Sequence, residues 1–324
     1  MAFQDLVVGE VRKEGAELED FVLVRSGGQP TYQLSVVVDD LDMALSHVVR
    51  GADHLSNTPK QLLLYRALGR TPPQFAHVPL ILGPDKARLS KRHGATSVGA
   101  YRDEGVLPEA FDNFLALLGW SDGTDREIFD TASLIDAFSL SGISRTNAVF
   151  DSDKLGWFNG QFVQAMDPGE LALRLKPFME AEGLWSDELI GDRSQWFEGL
   201  LALVRPRFRS LKELAGATGV YLRPSVEIDA DARKKFMSDP ALADYLPQLA
   251  SRVESVSTFD LDSSEQVVRD LATELGVKAG LLINASRAAL TGQRVGPGIF
   301  EVMVTLGQSR TASRLREAAV SLRI

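Results

Sequence analysis

Ser46-His47-Val48-Val49-Arg50-Gly51, then Thr58-Pro59 with Gly69 beyond it, then Phe75-Ala76-His77-Val78-Pro79-Leu80-Ile81-Leu82, form the stretch that decides the fold. Residues 46–49 are a short apolar run ending at Arg50-Gly51, which predicts a strand. Thr58 is expected to cap a helix carrying Pro59 at its first position and Gly69 after its end, because proline's missing N–H costs nothing there. Residues 75–82 read as a further strand. Strand, helix, strand in this order makes one parallel crossover unit, about half of a doubly wound sheet.

Outward from this unit the pattern changes. Residues 21–25 predict a strand closed by the turn formers Ser26, Gly27, Gly28 and Pro30, while residues 33–38 fit a strand or a buried helix equally. Beyond Leu107 nearly every segment has helical periodicity, starting with Pro108 at a helix start and running through 111–118, 132–138, 168–183 and 198–204 towards Arg323. The shift falls between residues 85 and 107. The expected fold class is therefore α/β followed by all-α.

At 324 residues, 44% hydrophobic and 24% charged, the chain has the composition of two or three globular domains. Zero cysteines exclude thiol catalysis, disulfides and thiolate metal sites. His47, His54, His77 and His93 contain no pair at the His-x-x-x-His spacing of a helical zinc site, so no metal and no zinc is expected. No apolar run approaches a membrane span and residues 1–15 do not resemble a leader, which reads as a cytoplasmic chain without a membrane partner.

A net charge of −9 argues against coating nucleic acid indiscriminately, and DNA is not expected as a partner. The charges are nonetheless unevenly placed. From residue 278 to the end, seven cations (Lys278, Arg287, Arg294, Arg310, Arg314, Arg316 and Arg323) face only Glu301 and Glu317. Arg205, Arg207, Arg209 and Lys212 face only Glu213, and Lys86, Arg88, Lys91 and Arg92 face only Asp85. Such clusters suit selective RNA binding or an ordinary solvated surface.

Arg88-Leu89-Ser90-Lys91-Arg92 follows a strand and the turn Gly83-Pro84-Asp85. A lysine point charge, a serine donor and arginine forks together suit a polyphosphate. The Gly-x-x-x-x-Gly-Lys-Ser/Thr loop, a full dinucleotide fingerprint and the Gly-x-Ser-x-Gly elbow are all absent, which lowers the case for those enzyme classes.

Read with its surroundings, this loop carries a resemblance. Pro30-Thr31-Tyr32, Val38-Asp39-Asp40, His47-Val48-Val49-Arg50-Gly51-Ala52-Asp53-His54-Leu55, Asn57-Thr58-Pro59-Lys60-Gln61 and Leu107-Pro108-Glu109-Ala110 occur in order. Leu118-Gly119-Trp120-Ser121, Phe150-Asp151 with Lys154-Leu155, Arg205-Pro206-Arg207-Phe208, Arg287-Ala288-Ala289-Leu290-Thr291-Gly292 and Pro297-Gly298 follow. Together they resemble glutamyl-tRNA synthetases, a class I aminoacyl-tRNA synthetase family, across essentially the whole chain. Arg88 to Arg92 looks like the second class I signature.

The resemblance implies the C-terminal half of a class I Rossmann-like catalytic domain followed by helical stem-contact and anticodon-binding domains. It divides the chain at 1–32 (remnant of an acceptor-binding insertion), 33–85 (second half of the catalytic domain), 86–167 (stem-contact domain with the signature loop), 168–225 and 226–324 (two anticodon-binding subdomains). It implies glutamate, ATP with Mg2+ and the tRNA for glutamate as partners. Lys91 would meet the phosphates as pyrophosphate leaves, with Ser90 beside it as the second catalytic residue. Arg88, Leu89, Asp53 and His54 would join Lys91 in holding ATP. Arg50 would take the glutamate carboxylate as a guanidinium fork, with Tyr32 lining the pocket; a salt bridge from Arg50 to Asp39 or Asp40 is the structural alternative. Arg92, Arg205 and Arg207 would touch tRNA, Arg207 at the anticodon or at a phosphate.

Two departures qualify the resemblance. The usual Gly-Glu-Asp-His stands here as Gly51-Ala52-Asp53-His54, which removes a carboxylate at position 52. The family's His-Ile-Gly-His signature is absent from the 324 residues. The expectation is a truncated chain that is inactive alone, the alternatives being a non-catalytic tRNA-binding paralogue or one half of a split enzyme complemented by an N-terminal half chain.

Overall fold

The computed structural model describes residues 1–87, 89 and 97–323. The chain forms two compact units, Met1–Arg102 with Val106–Phe158, and Asp103–Gly105 with Asn159–Ile324. Arg88, Ser90, Lys91 and Arg92 lie outside the described residues.

In the first unit, strands β1 (Ala2–Asp5) and β2 (Gly9–Arg12) make an antiparallel hairpin, Ala2 opposite Arg12. Helix α1 (Tyr32–Asp42) precedes strand β3 (His47–Gly51), helix α2 (Thr58–Ala67) and strand β4 (Gln74–Val78). The sheet order is β2-β1-β4-β3, with β3 and β4 parallel in a register that sets Arg50 opposite His77. The expected strand, helix, strand crossover is thus present. Residues 33–38 are helix, and Val37 on α1 is fully buried with Leu64, Tyr65 and Phe75. Burying each such side chain contributes roughly 1.5–3 kcal/mol.

Three local readings are corrected. Residues 21–25 are not a strand: a single bridge, Val24 to Pro30, closes the turn, and Phe21 and Leu23 pack on the core while Val22 and Val24 stay exposed. Alternating apolar exposure in one short arm offered no partner for a ladder. Residues 75–82 are two strands, because Pro79 interrupts them: β4 ends at Val78 and β5 (Ile81–Leu82) leaves for a second sheet. Thr58 does not cap α2; it is the helix's first residue, and its hydroxyl is engaged with Arg50 and His77.

The remainder of this unit holds α3 (Val98–Asp103), α4 (Pro108–Leu117), α5 (Thr131–Ala137) and β6 (Ala148–Val149), which pairs in parallel with β5. Phe114, Phe150, Leu155 and Phe158 form its second core, the Phe114 and Phe150 rings meeting edge-on at 5.0 Å. Leu89 packs against this cluster. Helix α6 (Ser152–Ala165) follows.

The second unit consists of helices α7 (Pro168–Ala181), α8 (Ser194–Val204), α9 (Leu211–Leu222), α10 (Ala230–Phe236), α11 (Leu242–Ser255), α12 (Leu261–Glu274), α13 (Ala279–Thr291), α14 (Ile299–Leu306) and α15 (Gln308–Val320). Their boundaries follow from local chemistry. Asp167 accepts the N–H groups of Gly169 and Glu170 ahead of Pro168, and Asp260 and Ser263 cap α12 reciprocally. Stripes such as Leu242, Leu246, Leu249 and Val253, all at 0% exposure, recur at helical spacing and bury against neighbouring helices. Among the described residues no helix is long and apolar enough to cross a membrane.

Candidate functional site

Arg50 sits near the end of β3, at the carboxyl ends of the parallel strands where open α/β sheets place ligands. Its Nε donates to His77 Nε2 at 3.2 Å, and its Nη2 donates to Thr58 Oγ1 and Gln61 Oε1, both at 2.8 Å. Nη2 also reaches the His54 carbonyl at 3.5 Å, and the Tyr32 side chain is a further hydrogen-bonding neighbour of the guanidinium; Nη1 makes none of the bonds to His77, Thr58, Gln61 or His54. The guanidinium also lies 5.4 Å above the Phe75 ring. Burial lowers the Arg50 pKa, opposed by Tyr32 and Asp40; arginine's high intrinsic value keeps it charged. The salt-bridge alternative is not realised: the hydrogen bonds go to neutral acceptors, and Asp40 instead accepts from the Tyr65 hydroxyl at 3.5 Å.

Beside Arg50, the 3-10 turn Ala52–Asn57 brings His54 to Tyr32. His54 Nδ1 lies 3.1 Å from the Tyr32 hydroxyl and 3.2 Å from the Asn57 amide nitrogen, and Gln33 Nε2 donates to Asn57 Oδ1 at 3.0 Å. Tyr32 is 48% exposed, so this row forms a rim while Arg50 is half-buried. Asp53 lies on the same turn, exposed, with its Oδ1 beside Gly51. Gln61 Nε2 and Gln33 Oε1 are buried with no protein partner among the described residues. Such orphaned polar atoms beside a cation fit a small polar ligand.

Tyr32, Arg50, Asp53 and His54 thus come together on one side of the β3–α2 unit. Leu89 is packed in the Phe114 core instead, and Arg88, Ser90, Lys91 and Arg92 are outside the described residues. In the second unit Arg205 donates to the Met166 carbonyl at 2.8 Å, and Arg207 is exposed at the edge of a small cavity with Phe208, Tyr221 and Gln293. Many of the remaining basic residues are committed within the fold: Arg316 to Glu254, Arg323 to Asp244, Arg287 to the Pro297 carbonyl, and Lys212 to Glu104.

Sequence reading missed Asp5, Thr58, Gln61 and His77. A histidine inside the apolar run Phe75 to Leu82 was the one available signal for His77. Asp5 had none. Its Oδ2 lies 2.6 Å from His77 Nδ1, both side chains at 0% exposure, and its Oδ1 accepts the N–H groups of Val7, Val8 and His77.

The parallel crossover with the half-buried Arg50 at its strand end, and the helical unit after it, define a class of protein. Residues 1–157 match the family of class I tRNA synthetases (E and Q), catalytic domain, and residues 170–319 match the anticodon binding domain. Among curated relatives, "Glutamate--tRNA ligase 2" of Koribacter versatilis is 53% identical over 98% of this chain and 65% of its own length. "Glutamate--tRNA ligase" of Geotalea uraniireducens is 43% identical over 99% of this chain and 68% of its own length. A solved glutamate tRNA ligase from Elizabethkingia meningosepticum, in complex with its amino acid, superposes with a TM-score of 0.86 at 29% identity, covering 99% of this chain and 66% of the other. The chain belongs to the glutamate–tRNA ligase family. It spans about two thirds of the length of the relatives it matches.

Proposed function

We propose that the chain is the larger part of a cytoplasmic glutamate–tRNA ligase, whose reaction is ATP-dependent activation of glutamate to glutamyl-adenylate and transfer of the glutamyl group to the tRNA for glutamate, and that these 324 residues alone do not complete it. The observation that carries this reading is Arg50: a charged fork held from within by neutral acceptors, with Nη1 outside those bonds and Tyr32 at the rim. A carboxylate meeting that fork gains a charge-assisted pair, whereas a neutral amide does not, which favours glutamate over glutamine. Asp53 and His54 flank this position and are assigned to ATP, together with Arg88, whereas Leu89 packs against the Phe114 core and is left out of that assignment. Lys91, with Ser90, is assigned to the charge on the departing pyrophosphate, an interaction stronger in the transition state than in the ground state. Arg92, Arg205 and Arg207 are assigned to tRNA. Among the described residues no cluster of three or more His, Asp or Glu side chains could hold a metal ion, so Mg2+ is taken to arrive on the phosphates of ATP.

The test is a filter-binding titration of the 324-residue polypeptide at fixed salt. Tighter binding of the tRNA for glutamate than of an unrelated tRNA, narrowed by Arg207→Ala, is expected. Equal binding of both would overturn the tRNA assignment. ATP–pyrophosphate exchange with glutamate and tRNA present is expected at background for these 324 residues alone, since the oriented donors of a His-Ile-Gly-His signature are not among them. Robust exchange would defeat that expectation.

A further inference from the structure

Arginine has no hydrogen-bond acceptor, so the 3.2 Å contact from Arg50 Nε to His77 Nε2 requires a lone pair on that ring nitrogen. The proton of a neutral His77 must then sit on Nδ1, where it donates to Asp5 Oδ2 at 2.6 Å. The Thr58 hydroxyl, 3.2 Å from Nε2 and accepting from Arg50 Nη2, completes the cage. Asp5 is in turn held by three backbone N–H groups, of Val7, Val8 and His77, at 2.9, 2.9 and 3.2 Å. A rigid chain therefore runs from the β1–β2 turn through His77 to the guanidinium.

We propose that Asp5 and His77 are positioning residues: Asp5 selects the His77 tautomer whose Nε2 accepts from Arg50, and this orients the Arg50 fork. That the fork so oriented serves glutamate rests on the function proposed above. The groups facing His77 are Asp5 from β1, Arg50 from β3, His54 from the 3-10 turn and Thr58 from α2. With the Arg50 guanidinium donating to Nε2, a second proton there would set donor against donor and cation against cation. The arrangement is built for the neutral ring.

The test uses the ¹⁵N-labelled 324-residue polypeptide and needs no turnover. Nitrogen shifts of His77 are expected to show protonated Nδ1 and unprotonated Nε2 at neutral pH; the opposite tautomer, or an imidazolium, overturns the proposal. The Arg50 Nε–H signal, identified by its loss in Arg50→Lys, is expected to exchange with water about tenfold more slowly than an exposed arginine, as one net hydrogen bond allows. His77→Gln keeps an acceptor where Nε2 stood and should retain that protection. His77→Asn keeps the donor to Asp5 but not the acceptor, and should lose it. Equal protection in both variants sinks the proposal, and the wild-type tautomer decides the matter even if a variant fails to fold. Titrating glutamate and glutamine tests the other reading separately. A shift of the Arg50 signal with glutamate alone supports it; no shift removes glutamate from the site while the tautomer and exchange results still judge Asp5 and His77.

Discussion

Arg314 donates through Nη1 to the carbonyl of Leu290 at 2.5 Å, from a side chain only 1% exposed. Its Nη2 donates to the carbonyls of Val220 and Arg223, each at 2.7 Å, so one guanidinium serves the C-terminal ends of both α9 and α13. Those ends carry orphan carbonyls and partial negative charge. Burial, with Arg310 nearby, pushes the Arg314 pKa down to about 10, which still leaves it charged at neutral pH. Arg314→Met would abandon three acceptors in the interior. We expect a loss of about 3 kcal/mol or more in urea unfolding. A loss below about 1 kcal/mol would mean that water reaches those carbonyls.

Gly292 ends α13 at φ +73°, and a Cβ there would lie 2.1 Å from the Glu227 carbonyl oxygen. Both the left-handed backbone and the close approach oppose a side chain. Gly292→Ala is expected to destabilise the protein by about 2 kcal/mol or more. Gly199, inside α8 with open space around its Cβ position, is the contrasting site, where alanine should stabilise by roughly 0.5–1 kcal/mol. Thermal unfolding of the two variants should therefore move in opposite directions, and a parallel shift would refute the steric account.

Acid should weaken the first unit in two stages. Burial lowers the His77 pKa below 6.5, against the pull of Asp5. Burial acts to raise Asp5, but the N–H of Val8, the bond from His77 and the N–H of Val7 outweigh it and hold the carboxylate below 3.8. The two directions agree on a neutral imidazole donating to a charged carboxylate. For both groups the unfolded chain binds protons more readily, so stability rises with pH. The His77 contribution is complete above about 6.5 and declines as pH falls through its folded value; that of Asp5 is lost further down, below 3.8. Urea midpoints across this range should show the upper decline in wild type and a flatter upper limb in His77→Gln. An unchanged limb would remove His77 from the acid response.

Base should act through tyrosine. Burial first, then Asp40, pushes the Tyr65 pKa up to about 12, and burial alone pushes Tyr221 up to about 12 against three nearby arginines. A raised value means the folded state holds the proton longer, so this stability is full below about 10 and is lost as pH rises through about 12. Ultraviolet titration should show late-ionising tyrosines, with one of them missing in Tyr221→Phe. Complete ionisation near 10 would mean that neither ring is shielded.

The readable parts of this chain were those governed by neighbours in sequence. The β3–α2–β4 crossover followed from an apolar run, a Thr-Pro helix start and Gly69, and the helices after Pro108 from their period. Tyr32, Arg50, Asp53 and His54 were named from motifs, and the fold gathers them on one side of that crossover. Where local rules competed, reading went astray. Thr58 satisfied every rule for a cap, but a buried arginine claimed its hydroxyl. The run 75–82 looked continuous because a strand and the next one share composition, and Pro79 alone divides them.

By itself, the amino-acid order determined the β3–α2–β4 crossover, the helical character beyond Pro108, the family, and which cations were candidates, because those depend on periodicity, turn residues and motifs spanning a few positions. Only the tertiary structure decided which groups Arg314 and Arg50 bond. Arg314, read within a basic cluster that suited either RNA binding or a solvated surface, is a buried cap for two helix ends. Arg50 bonds His77, which in turn meets Asp5, 72 residues away in the chain and 2.6 Å away in space. Hydrogen-bond partnership is set by distance and burial, and neither is written in the spacing of residues along the chain.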